Sequence, residues 1–289
     1  MKKVKGVKGM SFPFLALCLI HICLLGITFY KNKNRKNIFV LLVSNMGFAY
    51  LFEYFVFNVF KGYKYKPNIV RNKFFDSIFG AVLSQAIFVP FTSVFLTATN
   101  SGWLKKLLAS VYFSLVELLF LRLGVYKHTW WKTIYTFIMI PVYFKLSDIW
   151  YHFILKKNKI VQFISFFLMI MVTETNLFLP LALFRKFRFG SGRYHTWREH
   201  FILSPLYSIL VSLFTAFSLR KNNNLSVKVR VILFSVFINR FFVRLKFLKN
   251  NLTFIQYLLI RFVMGVVYGR YREWVYGEVE EKPIINNHQ

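Results

Sequence analysis

Five of the ten acidic residues in this 289-residue chain, Glu53, Asp76, Glu117, Asp148 and Glu174, fall inside long apolar runs, and so do the bases Lys145, Arg240 and Arg261. Asp76 stands near the start of its run, within reach of an interface; the other seven sit deeper. A charge at the centre of a membrane span costs roughly 2.5 to 3.5 kcal/mol, so seven of them facing lipid would cost on the order of 20 kcal/mol. They must therefore pair, face a bundle interior, reach water or, for the acids, carry a proton. Two arrangements meet that demand. In one, Glu53, Glu117, Asp148 and Glu174 with Lys145, Arg240 and Arg261 line a polar path for an ion, proton or anionic solute. In the other they form separate salt bridges and hydrogen bonds that fix helix pairing. Lys145 and Asp148, three residues apart, share a helix face and are predicted to meet. Glu117 and Arg122, five apart, do not, so each looks to another helix.

The elements that carry these groups follow from composition. The chain is 56% hydrophobic and 20% aromatic, yet 39 Lys and Arg against 10 Asp and Glu leave a net charge of +29. Only 17% of residues are charged, below the level of a water-soluble domain, and so much Phe, Leu and Ile excludes a disordered chain. Nucleic-acid binders carry basic charge on folded faces or polar tails, whereas here it sits in short clusters between apolar runs. Nucleic acid is therefore not an expected partner. About 20 apolar residues as helix cross a bilayer core, and nine runs approach that length: 12–30, 38–60, 74–99, 107–123, 133–155, 160–184, 201–219, 231–243 and 252–268. The eighth is short and contains Arg240. The expected fold is all-α, a polytopic transmembrane bundle of eight or nine spans over 10–268, after a basic cytoplasmic N-terminus (1–9) and before a polar, partly acidic tail (269–289).

The first run is long for a signal sequence and has no small-x-small cleavage pattern, so it is expected to be retained. With the N-terminus inside, about 19 basic residues lie on the cytoplasmic side (the N-terminus and loops 61–73, 124–132, 185–200 and 244–251) against about 16 opposite. All six Trp residues, at 103, 130, 131, 150, 197 and 274, fall in loops or near segment ends, the place of an indole at a headgroup layer. Gly80, Ala81 and Ser84, and Gly265, are candidate points of close helix approach. Pro90, Pro141, Pro180 and Pro205 predict local kinks.

Loop 185–200 interleaves cations with aromatics. Its Arg185, Lys186, Arg188, Arg193 and Arg198 are candidate contacts for anionic lipid headgroups, the expected partner, and loop 61–73 reads the same way. Gly190-Ser191-Gly192 lacks the strand before and helix N-terminus after that a phosphate-cradling loop needs. His195 and His200 with Glu199 between them do not have zinc-site spacing, and Cys18 and Cys23 lack metal-ligand spacing. No catalytic constellation is legible, so no catalytic residue, metal or cofactor is assigned, although an intramembrane enzyme acting on lipid stays open. No long-period repeat covers the chain. Gly124-Val-Tyr-Lys-His-Thr-Trp-Trp echoes Gly192-Arg-Tyr-His-Thr-Trp-Arg, read as chance similarity of two interface loops.

From Glu53 to Leu155, Lys66-Pro67, Pro90, Glu117 and then Gly124, Tyr126 and Trp130 resemble a group of uncharacterised multi-pass membrane proteins of spore-forming Firmicutes. The resemblance covers about a third of the chain. It implies an integral protein of a bacterial cell membrane and carries no active site.

Overall fold

The computed structural model describes residues 11–191 and 195–277; the basic N-terminus, Arg193 and the acidic tail lie outside the described residues. Among them the chain forms nine helical segments: α1 (Phe12–Lys31), α2 (Arg35–Val59), α3 (Lys73–Ala98), α4 (Trp103–Arg122), α5 (Thr133–Leu155), α6 (Lys159–Leu183), α7 (Trp197–Leu219), α8 (Leu225–Arg244) and α9 (Phe254–Tyr276). Each of the nine predicted apolar runs is one of them. The run read as short, 231–243, is a helix of 20 residues, and the last helix continues to Tyr276. Five of them, α1, α2, α3, α6 and α7, are long and apolar enough to cross a membrane; the other four are 20 to 23 residues long.

Local chemistry starts the helices. Asn72 accepts hydrogen bonds from the Phe74 and Phe75 N–H groups, and Asn158 does the same for Ile160 and Val161. Thr196 and Thr253 build reciprocal capping boxes with Glu199 and Gln256. The core is apolar, but small polar residues are buried with it and large apolar residues face outward. Ser44, Asn45, Ser93, Ser110, Ser147, Ser165 and Ser208 are buried, while Leu115, Val142, Leu233, Phe237 and Phe262 are exposed on outward faces.

Two short antiparallel sheets cap one end of the bundle: β1 (Tyr63–Tyr65) with β2 (Tyr126–His128), and β3 (Phe187–Phe189) with β4 (Leu248–Asn250). They expose a repeat that the sequence reading did not find. The order helix, strand, helix, helix, strand, helix occurs twice, over 35–155 and 159–276. Arg35 and Lys159, Tyr63 and Phe187, and Lys73 and Trp197 are each 124 residues apart as the starts of matching elements; Trp103 and Leu225, and Tyr126 and Leu248, are 122 apart. Individual hydrogen bonds match. Thr129 N–H donates to Gly62 O (2.8 Å) as Asn251 N–H does to Lys186 O (2.8 Å), and Lys66 N–H donates to Val125 O (2.8 Å) as Gly190 N–H does to Phe247 O (3.0 Å). The left-handed residues at the helix-to-strand turns also match: Lys61 (φ 53°) with Arg185 (φ 57°), and Gly124 (φ 67°) with Lys246 (φ 61°). The echo between 124–131 and 192–198 is therefore not the repeat, because β2 matches β4 and β1 matches β3.

Each half holds four helices, an even number, so both run in the same direction and both sheets lie at the same end. Equivalent helices α2 and α6 pack together, and the matching N-terminal ends of α3 and α7 meet at Phe75 and Trp197, whose rings are 4.4 Å apart. The halves thus face one another about an approximate two-fold axis, with α1 as an additional helix outside the repeat. Loop 61–73 and residues 185–191 are consequently at one end of the bundle. Of the predicted small-residue contacts, Gly80 touches not a helix but Tyr65 of β1, and Gly265 meets nothing within 4 Å. The close helix approach is at Gly47 of α2, where an added Cβ would lie 2.8 Å from the Leu168 Cβ of α6.

Candidate functional site

Each of the four deep carboxylates has its own partners, and two of the groups share a cavity, whose wall includes Glu117 together with Tyr63 and Gln85, the partners of Glu53. Glu53 precedes a π-helical stretch of α2 (Tyr54–Val59), and its Oε2 accepts hydrogen bonds from the Tyr63 hydroxyl (2.5 Å) and Gln85 Nε2 (3.0 Å). Gln85 lies in a second π-helical stretch, Leu83–Phe88, inside α3. Such bulges turn a residue out of helical register, and they bring these two side chains together. Burial, reinforced by the Glu53 carboxyl, holds the Tyr63 hydroxyl well above its ordinary range, so it is a proton donor. Glu53 has no cationic partner among the described residues.

Glu117 of α4 pairs with His128 Nε2 at 2.7 Å and accepts a hydrogen bond from Thr136 Oγ1 at 2.5 Å; Thr136 in turn accepts one from the Trp131 indole (2.9 Å). It thereby ties α4 to β2 and to the start of α5. The second half makes the same tie without charge. Asn239 and Asn250, each 122 residues after Glu117 and His128, are joined by a 3.1 Å hydrogen bond.

Asp148 forms its ion pair with Lys106 of α4, and Thr97 of α3 donates to its other oxygen at 2.9 Å. The predicted Lys145–Asp148 pair is therefore not formed. Lys145 is exposed on the outward side of α5, since Asp148 turns toward α3 and α4. Glu174 of α6 and Arg261 of α9 form the most enclosed pair, 2.5 Å apart and 0% and 4% exposed. The Tyr268 hydroxyl also donates to Glu174 Oε1 (2.6 Å), and Arg261 Nε donates to the Tyr257 hydroxyl (3.0 Å), which donates to Ser235 O (2.8 Å). Arg240 is not buried either. It is exposed near the end of α8, where its guanidinium lies 5.5 Å from the Phe254 ring.

Of the seven predicted groups, Glu53, Glu174 and Arg261 are buried, Glu117 and Asp148 are half-buried, and Lys145 and Arg240 are exposed; the Glu53 and Glu117 groups border one cavity, while the Asp148 and Glu174 pairs stand apart from it. Sequence reasoning missed their partners. Lys106 reads as a loop-collar cation and His128 as part of an interface loop; Tyr63, Gln85 and Tyr268 carry no signal in a chain with 16 tyrosines.

Among the candidate lipid contacts, Arg185, Lys186 and Arg198 are exposed at the sheet end, while Arg188 is half-buried over the Trp197 ring at 4.1 Å. A strand does precede the Gly190-Ser191 turn and a helix does follow it, contrary to expectation, but Thr196 and Glu199 already cap that helix. His200 accepts the Phe189 N–H at 3.1 Å, a structural role. No group of three or more His, Cys, Asp or Glu able to hold a metal occurs among the described residues. No protein-family model, curated protein or solved structure matches the chain.

Proposed function

We propose that this chain is a multi-pass integral membrane protein whose nine helical segments all span the bilayer. In this reading its buried charges join helices, and its basic sheet end rests on anionic lipid headgroups on the cytoplasmic side of a bacterial cell membrane. The observation that carries the reading is that Glu117, Asp148 and Glu174 each pair with a charged or titratable side chain of another element, inside a bundle that exposes large apolar side chains on its outward faces. The other four helices support it too: Leu108, Ile138, Leu233 and Leu259 point outward from α4, α5, α8 and α9.

Reporter fusions in loops 61–73 and 185–200 should both report the cytoplasm, and fusions near residues 100 and 222 the opposite side. Opposite locations for the first two would sink the nine-span arrangement. The rival reading, transport through the buried charges, parts company at Glu117. Glu117→Asn alone should lower stability by about 2 kcal/mol, the scale of a charged hydrogen bond, and the Glu117→Asn, His128→Asn double variant should recover most of it by copying the second half. A double variant that is stable but has lost a solute or proton flux would instead favour transport.

A further inference from the structure

The repeat supplies an internal comparison, because a feature kept open in one half and filled in the other is not required by the fold. Two such features adjoin in the first half. At the sheet end, β1, loop 66–72 and the first turns of α3 and α7 enclose a groove of about 1060 Å³. Cations line it, among them Lys61, Lys64, Lys66, Arg71, Lys127 and Arg198. The acid beside it, Asp76, is engaged by the backbone N–H groups of Asn68 (3.0 Å), Ile69 (2.7 Å) and Val70 (3.2 Å), so it shapes the loop and leaves the cations unneutralised. On the other side of Tyr63 and Tyr65, which line both spaces, lies a cavity of about 360 Å³ walled mainly by aromatic and aliphatic side chains such as Phe14, Phe88, Phe113 and Phe120. Three of its wall residues, Phe52, Met139 and Val142, are also 39%, 46% and 59% exposed on the outside of the bundle. The cavity therefore meets the lateral surface between α2 and α5.

In the second half the described matching positions are filled differently. Lys66, Arg71 and Lys73 become Gly190, His195 and Trp197. Arg188, the counterpart of Lys64, stacks on Trp197, and His195 presses on Gly190 so closely that a Cβ there would stand 2.5 Å from the His195 Cα. Thr136 and Ile140 of the cavity wall become Tyr257 and Arg261, whose side chains fill the matching interior with Glu174. Tyr63 and Tyr65 become Phe187 and Phe189, both fully enclosed.

We propose that the first half binds one anionic phospholipid, its phosphate-bearing headgroup in the cationic groove and a hydrocarbon chain in the adjoining cavity, while the second half is a closed copy that serves structure. The inference rests on the membrane reading above. A cluster of cations with little opposing charge selects an anion, and an apolar cavity open on a lipid-facing surface selects a hydrocarbon chain. An anionic phospholipid joins the two chemistries in one molecule.

The test uses the full chain purified into nanodiscs of phosphatidylcholine containing a minor fraction of phosphatidylglycerol, with bound lipid counted by native mass spectrometry. One phosphatidylglycerol retained per chain is expected. Lys64→Gln with Arg71→Gln should weaken retention by about thirtyfold, about fivefold for each cation near an anionic group. Ile140→Trp, which fills the cavity, should also release the lipid, with thermal unfolding measured alongside to show that the variant is folded. Lys156→Gln with Lys159→Gln, exposed at the end of the bundle away from the sheets, should change nothing. Retention equal in the groove variant and this control would overturn the proposal, as would a folded Ile140→Trp chain that keeps its lipid. Displacement of the lipid by millimolar glycerol phosphate would overturn it too, by showing an anion site that does not use the hydrocarbon chain. A chain that inserts with the expected reporter topology but retains no phosphatidylglycerol defeats this inference alone, whereas failure of the topology test defeats the reading beneath it.

Discussion

Glu174→Ala will destabilise the protein by about 3 to 5 kcal/mol, the cost of leaving one member of a buried ion pair without its partner. The geometry sets that scale. Glu174 Oε1 receives both the Arg261 guanidinium and the Tyr268 hydroxyl, and neither charged side chain has more than a trace of exposure. Removing the carboxylate leaves a guanidinium between α6 and α9 with only Tyr257 to answer it. Arg261→Met should cost a similar amount by stranding the carboxylate. The double variant Glu174→Met, Arg261→Met should recover most of the loss, because well-packed apolar side chains replace such pairs at little net cost. Unfolding of the purified chain in detergent, followed by heat or denaturant, measures all three. A double variant as unstable as either single one would show that the pair does more than offset its own desolvation.

The second large effect is at Gly80. An added Cβ would stand 2.2 Å from the Tyr65 Cβ and 2.7 Å from its Cγ, near the root of that side chain, where rotation cannot relieve the clash. Strand β1 must then move away from α3, breaking the 3.0 Å hydrogen bond from Tyr65 N–H to Ser77 Oγ. Gly80→Ala is expected to cost about 3 kcal/mol, the upper part of the usual overpacking range. Since Tyr65 stands between groove and cavity, the same variant should weaken phosphatidylglycerol retention. Gly265→Ala is the matched control. Its Cβ meets nothing, so the lower backbone entropy of alanine should leave stability unchanged or raise it by about 0.5 to 1 kcal/mol. Equal effects at the two glycines would contradict the close approach at Gly80.

The helices were legible from residue type because burial in lipid needs long apolar runs and their interruption by Lys, Arg and Asn is a local signal. The buried carboxylates were legible for the same reason: an acid within such a run stands out. Their partners were not. Asp148 has Lys145 three residues away on its own helix yet pairs with Lys106, 42 residues earlier, because the rotation of α5 turns Asp148 inward and Lys145 outward. A helix apolar on nearly all sides gives little pattern from which to read that rotation, since lipid and neighbouring helices make similar demands on side chains.

The repeat was hidden for a related reason. What the two halves share is backbone geometry: left-handed turns at Lys61 and Arg185, helix lengths, and strand hydrogen bonds that any residue with an N–H can donate. Traces persist in aromatic-cation-aromatic strands, Tyr63-Lys64-Tyr65 and Phe187-Arg188-Phe189, but three residues are too few to find a 124-residue period. Residue composition, with its +29 charge and its scarce acids inside apolar runs, thus settled the class of element and where charge would be costly. Which charges meet, which side chains face outward, and which half keeps an open groove followed only from packing, because each depends on helix rotation and on contacts between residues far apart in the chain.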